Sequence, residues 1–228
     1  VPVSLLVAIV AGGLVGATNG VLVVKLKMSA FIITLASFIW VRGLVLALSG
    51  GRSAQDLAPA IRWFAIQRVL GLPLTAWIAI ACFAVFSFIL AKTPFGRHLV
   101  LIGGNQVAAF RAGIRVNRNL IIAFVLAGAI AGLAGWLLAI RTSGATANLG
   151  VGMLFNAFAA VVIGGVSLKG GVGSLPGVYA GVLLLSSINT AINLMGLPPT
   201  STQVIHGLLV LAAVLLDTLK QAIRQKLA

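Results

Sequence analysis

A chain of 228 residues that is 61% hydrophobic and only 8% charged, with a mean hydropathy of +1.17, carries more apolar surface than a soluble fold can bury. Its formal charge of +14 is not that of a nucleic-acid binder, because the basic residues stand in the gaps between apolar runs instead of clustering on one solvated face. The single cysteine, Cys82, lies inside an apolar run and reads as inert core, which excludes a disulfide framework and a thiolate metal site.

Charge-free runs at residues 3–24, 76–91 and 120–140 match the roughly 20 residues needed to cross a hydrocarbon layer of about 30 Å. Cutting at Pro, Gly clusters and charges predicts seven spans, at 4–24, 29–48, 73–91, 119–140, 152–168, 175–195 and 203–218. The fifth and seventh are short, so tilted, broken or partly re-entrant segments are expected there. The predicted fold class is all-α: one transmembrane domain over residues 1–228, a polytopic helical bundle. The chain opens at Val1 with no initiator Met and no basic region ahead of its first apolar run, so it does not read as a signal peptide; earlier sequence is expected to precede it.

Lys and Arg choose the orientation. With the C-terminus inside, Lys25, Lys27, Lys92, Arg97, Arg111, Arg115, Arg118, Lys169, Lys220, Arg224 and Lys226 fall on the cytoplasmic side, eleven in all. Only Arg52, Arg62, Arg68 and Arg141 remain outside, with Arg42 near the outer end of the second span. Anionic lipid headgroups reinforce that placement, and residues 219–228 form a basic cytoplasmic tail.

Glycine recurs at every fourth position in Gly12, Gly16, Gly20, in Gly128, Gly132, and in Gly173, Gly177, Gly181. That spacing lets helix backbones approach closely, and packing within one subunit is expected ahead of a dimer face.

The chain has no GxxxxGK[ST] phosphate loop, HExxH, CxxC or GxSxG sequence. Its only carboxylates are Asp56 in the outer loop and Asp217 at the inner end of the last span, so no acid is placed for proton coupling within the bilayer. His98 and His206 stand apart and read as a loop residue and an interfacial helix residue. No catalytic residue, metal site or cofactor is expected, and the chain is not read as an enzyme. Energy must come from a partner, or transport must be passive.

Between the third and fourth spans runs KTPFGRHLVLIGGNQVAAFRAGIRVNR, residues 92–118, too polar to cross the membrane. Gly103, Gly104 and Asn105 form a turn with Asn105 as a competent N-cap, and residues 106–111 form a short helix that Gly113 stops. Small residues Ala108 and Ala109 would let that helix dock in a groove of another protein; a solvated amphipathic connector fits the residues equally well.

The stretch GRHLVLIGGNQVAAFRAGIRV resembles the cytoplasmic signature of permeases in the ribose and related monosaccharide family of ATP-binding cassette importers. FIITLASFIWVRGLVLALSGG, residues 31–51, and GVGMLFNAFAAVVIGGVSLKGGVGS, residues 150–174, are similar to the same family. The resemblance implies a bundle of the type II importer permease kind, within a longer protein with further N-terminal spans and both termini inside. It also implies a second permease, identical or different, a pair of cytoplasmic ATP-binding cassette subunits that use the ATP, and a periplasmic solute-binding protein. By that resemblance Gly103, Gly104, Asn105, Ala108, Ala109, Arg111 and Gly113 would build the coupling helix in the ATPase cleft. Leu154 departs from the family, which often has an acidic residue just after the VGM step, with Asn156 two positions on. A different second permease supplying the polar group would explain the loss.

A sugar route needs hydrogen-bonding side chains and an aromatic face within the spans. Asn19, Thr34, Ser37, Asn156, Ser186, Ser187, Asn189 and Asn193 are candidates, with Trp40 as a stacking ring, and each has an alternative role in helix packing. Asn189 and Asn193 share a helix face by their spacing. Trp63 and Trp136 read as interfacial anchors, and the outer loop 50–71 as a docking surface for the binding protein. The expected function is thus an importer permease for a monosaccharide or related solute in a bacterial inner membrane, with a passive channel or carrier as the alternative.

Overall fold

The computed structural model describes residues 2–55, 67–167 and 170–196, with isolated positions 204, 207, 208, 211 and 215. Asp56, Arg62, Trp63, Lys169, His206, Asp217 and the tail 219–228 lie outside the described residues, as does most of the predicted span 203–218. Among the described residues the helices with defined bounds are α1 (Pro2–Leu26), α2 (Ala30–Ser49), α3 (Leu74–Lys92), α4 (Pro94–Gly104), α5 (Gln106–Arg111), α6 (Val116–Arg141), α7 (Met153–Ile163) and α8 (Leu175–Leu194). The strands among the described residues are two-residue pieces: β1 (Ala54–Gln55) pairs with β4 (Gly144–Ala145), and β2 (Arg68–Val69) with β3 (Leu72–Pro73), both antiparallel. Among the described residues five helices, α1, α2, α3, α6 and α8, are long and apolar enough to cross a membrane.

The fifth predicted span, 152–168, is expected to be short and tilted, broken or partly re-entrant, and its helix is short. Helix α7 has 11 residues, about 16 Å of rise, or half the hydrocarbon thickness. It stops because Gly164 and Gly165 follow, the latter at φ +82°, although the apolar sequence runs on.

The chain divides into two compact units, Val1–Ala81 with Ile114–Gly150, and Cys82–Gly113 with Val151–Ala228. In the first unit α1 runs antiparallel to α6 on the glycine ladder. A methyl group at Gly12 would collide with the Gly128 carbonyl oxygen, one at Gly16 with that of Phe124, and one at Gly132 with that of Ala8. The opposite side of α1 exposes Val3, Val7, Val10 and Leu14, the face left for lipid. Trp136, read above as an interfacial anchor, is 8% exposed and donates its indole N–H to Ser4 Oγ at 3.0 Å, joining α6 to α1. The β1–β4 pairing puts the ends of α2 and α6 on one side, as the charge-derived orientation requires.

In the second unit α7 and α8 are antiparallel and equally close. A Cβ at Gly164 would stand 2.6 Å from Val178 Cα, and Gly181 faces the carbonyl of Ala160. Ala159, Ala160 and Leu185 form the small buried core between them. Among the described residues the ladders Gly12–Gly20, Gly128–Gly132 and Gly177–Gly181 all serve packing inside the chain.

Candidate functional site

The loop 92–118 lies on the second unit up to Gly113. Thr93 caps α4, its Oγ1 accepting from the Gly96 amide at 3.3 Å, and Pro94 begins the helix. Gly96 is buried where the chain turns off α3; a Cβ there would come within 2.5 Å of Leu90 Cα. Sequence reading missed α4, although Thr-Pro is the signal that could have found it.

Asn105, in extended backbone at φ −157°, ends α4 and starts α5, and its Oδ1 accepts from the Ala108 amide at 3.0 Å. The helix covers Gln106–Arg111, and Gly113 leaves it at φ +80°, a left-handed turn that suits glycine. Ala108 and Ala109 do not share a face: Ala109 is 4% exposed and packed inward, while Ala108 faces out with Arg111. The apolar outward pair is Val107, 61% exposed, with Phe110, 71% exposed, three residues apart on one side. Neither was singled out from the sequence, because apolar residues in a short capped helix ordinarily point inward.

Gly103 and Gly104 lie backbone to backbone against Gly170 and Gly171 of the α7–α8 connection. A Cβ on Gly103 would meet Gly171 N at 2.5 Å, and one on Gly171 would meet Gly104 Cα at 2.7 Å. Gly170 and Gly171 hold φ of +90° and +76°, so glycine is required there on two grounds. The contact places the α7–α8 connection on the side of the inner loop. The inner loop and the connection before α8 thus touch through backbone rather than through flexible side chains. Beside it lies a cavity of about 200 Å³ lined by aliphatic residues such as Leu90, Leu99, Val166 and Val178, with Ser167 and Ser174 as its hydroxyls. That lining suits packing rather than a polyhydroxyl solute.

The pathway candidates divide between the units. In the first, the Ser37 hydroxyl donates to Asn19 Oδ1, and both side chains are buried, tying α2 to α1. Thr34 turns its hydroxyl to the carbonyls of Ala30 and Phe31 at 2.9 and 3.1 Å, and Trp40 is half exposed. In the second, the antiparallel register of Gly164 on Gly177 and Ala160 on Gly181 sets Asn156 level with Leu185. Asn189 follows one turn along the same α8 face, half-buried and level with the start of α7. Asn156 and Asn193 keep their amides unengaged among the described residues. Ser186 is exposed, and Ser187 bonds back to the Leu183 carbonyl at 2.9 Å.

Arg42 escaped the list of candidates. It is half-buried within α2, donates from Nη2 to Asn148 Oδ1 at 2.7 Å, and has a buried Nε with no partner. A cation inside an apolar span of a chain with two carboxylates was the available signal.

The family model described as branched-chain amino acid transport system / permease component matches residues 1–214. The L-arabinose transport system permease protein of Escherichia coli is 40% identical over 203 residues, 89% of this chain and 62% of that protein. The ribose import permease of Escherichia coli is 36% identical over 223 residues, 96% of this chain and 70% of its own length. That of Bacillus subtilis is 39% identical over 206 residues, 90% of this chain and 64% of its own length. This chain thus spans less than two thirds of the arabinose permease. No solved structure matches it. The helices, the inner loop and these likenesses agree: this multi-pass membrane chain belongs to the family of transport-system permease components that includes the ribose and arabinose permeases.

Proposed function

We propose that the chain is the translocating subunit of an ATP-driven, binding-protein-dependent importer, and that its solute is a monosaccharide or a related small polar compound. The observation that carries this is the face of α5. Val107 and Phe110 stand exposed on a helix capped by Asn105, linked in sequence to α3 through α4, and braced by the Gly103–Gly171 contact at its start. An apolar pair on a basic cytoplasmic loop needs a protein to cover it, and an ATPase cleft is a cover that explains its rigid mounting. ATP is then bound and hydrolysed by that partner, since the chain has no phosphate loop and acts as a conduit rather than an enzyme.

The relatives are named for ribose and L-arabinose, both pentoses, so a pentose is the first solute to test. The membrane is the bacterial inner membrane, and a periplasmic protein delivers the solute. A second permease completes the path, and Leu154 favours a non-identical one that supplies an acidic group. Asn156 on α7 and Asn193 on α8, whose amides are unengaged among the described residues, are the first side chains to test for contact with the solute.

The test is Phe110→Ser in the complete transporter, with Phe110→Leu as the conservative control. Losing a buried aromatic anchor typically costs about 2 kcal/mol or more, a roughly thirtyfold weakening of the ATPase–permease association. Phe110→Leu should keep most of it. Unchanged association and uptake in Phe110→Ser would remove the assignment of α5, since the exposed side chain has no folding role to lose.

A further inference from the structure

Helix α3 is preceded by a hairpin whose conformation and composition disagree. Strand β2 pairs with β3 in the register Arg68↔Pro73 and Val69↔Leu72, leaving a two-residue turn of Leu70 at φ +52° and Gly71 at φ +80°. A turn with both central residues left-handed takes Asn-Gly or Asp-Gly by preference. Leucine in the first place is unfavourable to the backbone, and its side chain gains no cover within the chain: Leu70 is 86% exposed, beside Val69 at 47% and Leu72 at 45%. Such a residue is accounted for by something outside the chain that takes up the apolar tip.

The hairpin is fastened at a defined height. Leu74 N, the first residue of α3, donates to Gln67 O at 3.0 Å, and the Trp77 indole N–H donates to Val69 O at 3.0 Å. The hairpin is therefore held against the first turn of a membrane-crossing helix, at its outer end by the charge-derived orientation. Among the described residues no α3 side chain is fully buried, and Trp77, Ala79, Ile80 and Ala81 below the hairpin are exposed, so apolar surface continues from the hairpin down one side of α3. Trp77 is partly exposed, and Arg68 is exposed at the base of the hairpin. Tryptophan at headgroup level, an arginine for phosphate and an aliphatic tip are the three elements of an interfacial anchor.

We propose that residues 68–73 form such an anchor: Leu70 enters the boundary of the outer leaflet, Arg68 meets a lipid phosphate, and Trp77 locks the hairpin at that depth. The occupant is the phospholipid surface rather than the binding protein, because the apolar tip continues the apolar surface of α3 and its only charged member is cationic. The inference depends on α3 crossing the membrane, not on what the transporter carries.

The experiment places a nitroxide on Leu70→Cys in a Cys82→Ser background of the complete protein. The protein is reconstituted in nanodiscs of phosphatidylethanolamine and phosphatidylglycerol, and collision with oxygen is compared with collision with a water-soluble nickel chelate. A label at Val85, 54% exposed on α3, gives the lipid standard, and one at exposed Arg52 the aqueous standard. The expected result is an oxygen-to-nickel ratio severalfold above the Arg52 value and unchanged when binding protein is added. A ratio equal to that at Arg52 would overturn the proposal. So would protection from nickel that appears only with the binding protein, which would assign the tip to protein docking.

Discussion

Replacing Gly12 by Ala puts a methyl group where the antiparallel helix α6 already has backbone. Its Cβ would meet the Gly128 carbonyl oxygen well inside contact distance and Gly132 Cα at 3.0 Å, while a Cβ at Gly128 would meet Gly16 Cα at 2.9 Å. Carbon atoms sit comfortably about 3.5 to 4.0 Å apart, so the helices must part by roughly 0.5 to 1 Å, forfeiting about a quarter to a half of the dispersion attraction along the seam. Overpacking of this kind costs about 1 to 3 kcal/mol, and the obstacle here is backbone, which places it toward the upper end. Alanine recovers up to about 1 kcal/mol in helix propensity, leaving a net loss of about 2 kcal/mol, or roughly thirtyfold in the folded-to-unfolded ratio. Gly128→Ala should cost the same. The double variant should cost clearly less than the sum, because one separation relieves both clashes. Gly13→Ala is the control: its Cβ comes only to 4.0 Å from Ala129 Cβ, so it should be neutral or mildly stabilising. The assay is reversible unfolding in mixed micelles, followed through the fluorescence of Trp136, which bridges α6 to Ser4. Equal stability of the Gly12→Ala and Gly13→Ala proteins, or strict additivity of the pair, would refute the reasoning.

Ser37→Ala leaves the buried Asn19 amide without its donor and should cost about 1 to 3 kcal/mol in the same unfolding assay. Combining it with Asn19→Leu should restore much of that. A restored stability with lost uptake would mean that the pair serves the solute as well as the fold. Asn105→Ala removes the acceptor for the Ala108 amide and should weaken α5 by about 1 kcal/mol. Amide hydrogen exchange at residues 106–111 should then accelerate about fivefold while α4 stays protected. Unaltered exchange would show that α5 is held by its ends rather than by its cap.

Much of the helical frame is legible in the sequence, because hydropathy and charge act locally. Runs expected at 29–48, 73–91 and 175–195 are the helices Ala30–Ser49, Leu74–Lys92 and Leu175–Leu194. The Asn105 cap and the helix after it are legible for the same reason: a cap is a contact across three residues. The fifth run is legible as short, but not where its helix stops, because hydropathy cannot distinguish apolar helix from apolar backbone that turns at Gly164 and Gly165. The four-residue glycine spacing announces a flat helix face but carries no information on which helix covers it. Distant pairings such as Asn19 with Ser37 and Trp136 with Ser4 are set by tertiary packing, so polar residues in spans could be recognised as candidates without being sorted into glue and pathway. The outward turn of Val107 and Phe110 was hidden because Ala109 takes the inward position, and a helix of six residues is too short for its apolar pattern to show which face is covered.

The most direct test of the account is uptake by proteoliposomes holding the full-length permease with its second permease and ATPase subunits, supplied with the periplasmic binding protein and radiolabelled ribose or arabinose. Accumulation against the gradient that requires both ATP inside and binding protein outside is the predicted result. Equilibration of the sugar with neither present would make the chain a passive carrier and contradict the coupling role assigned to the α4–α5 loop.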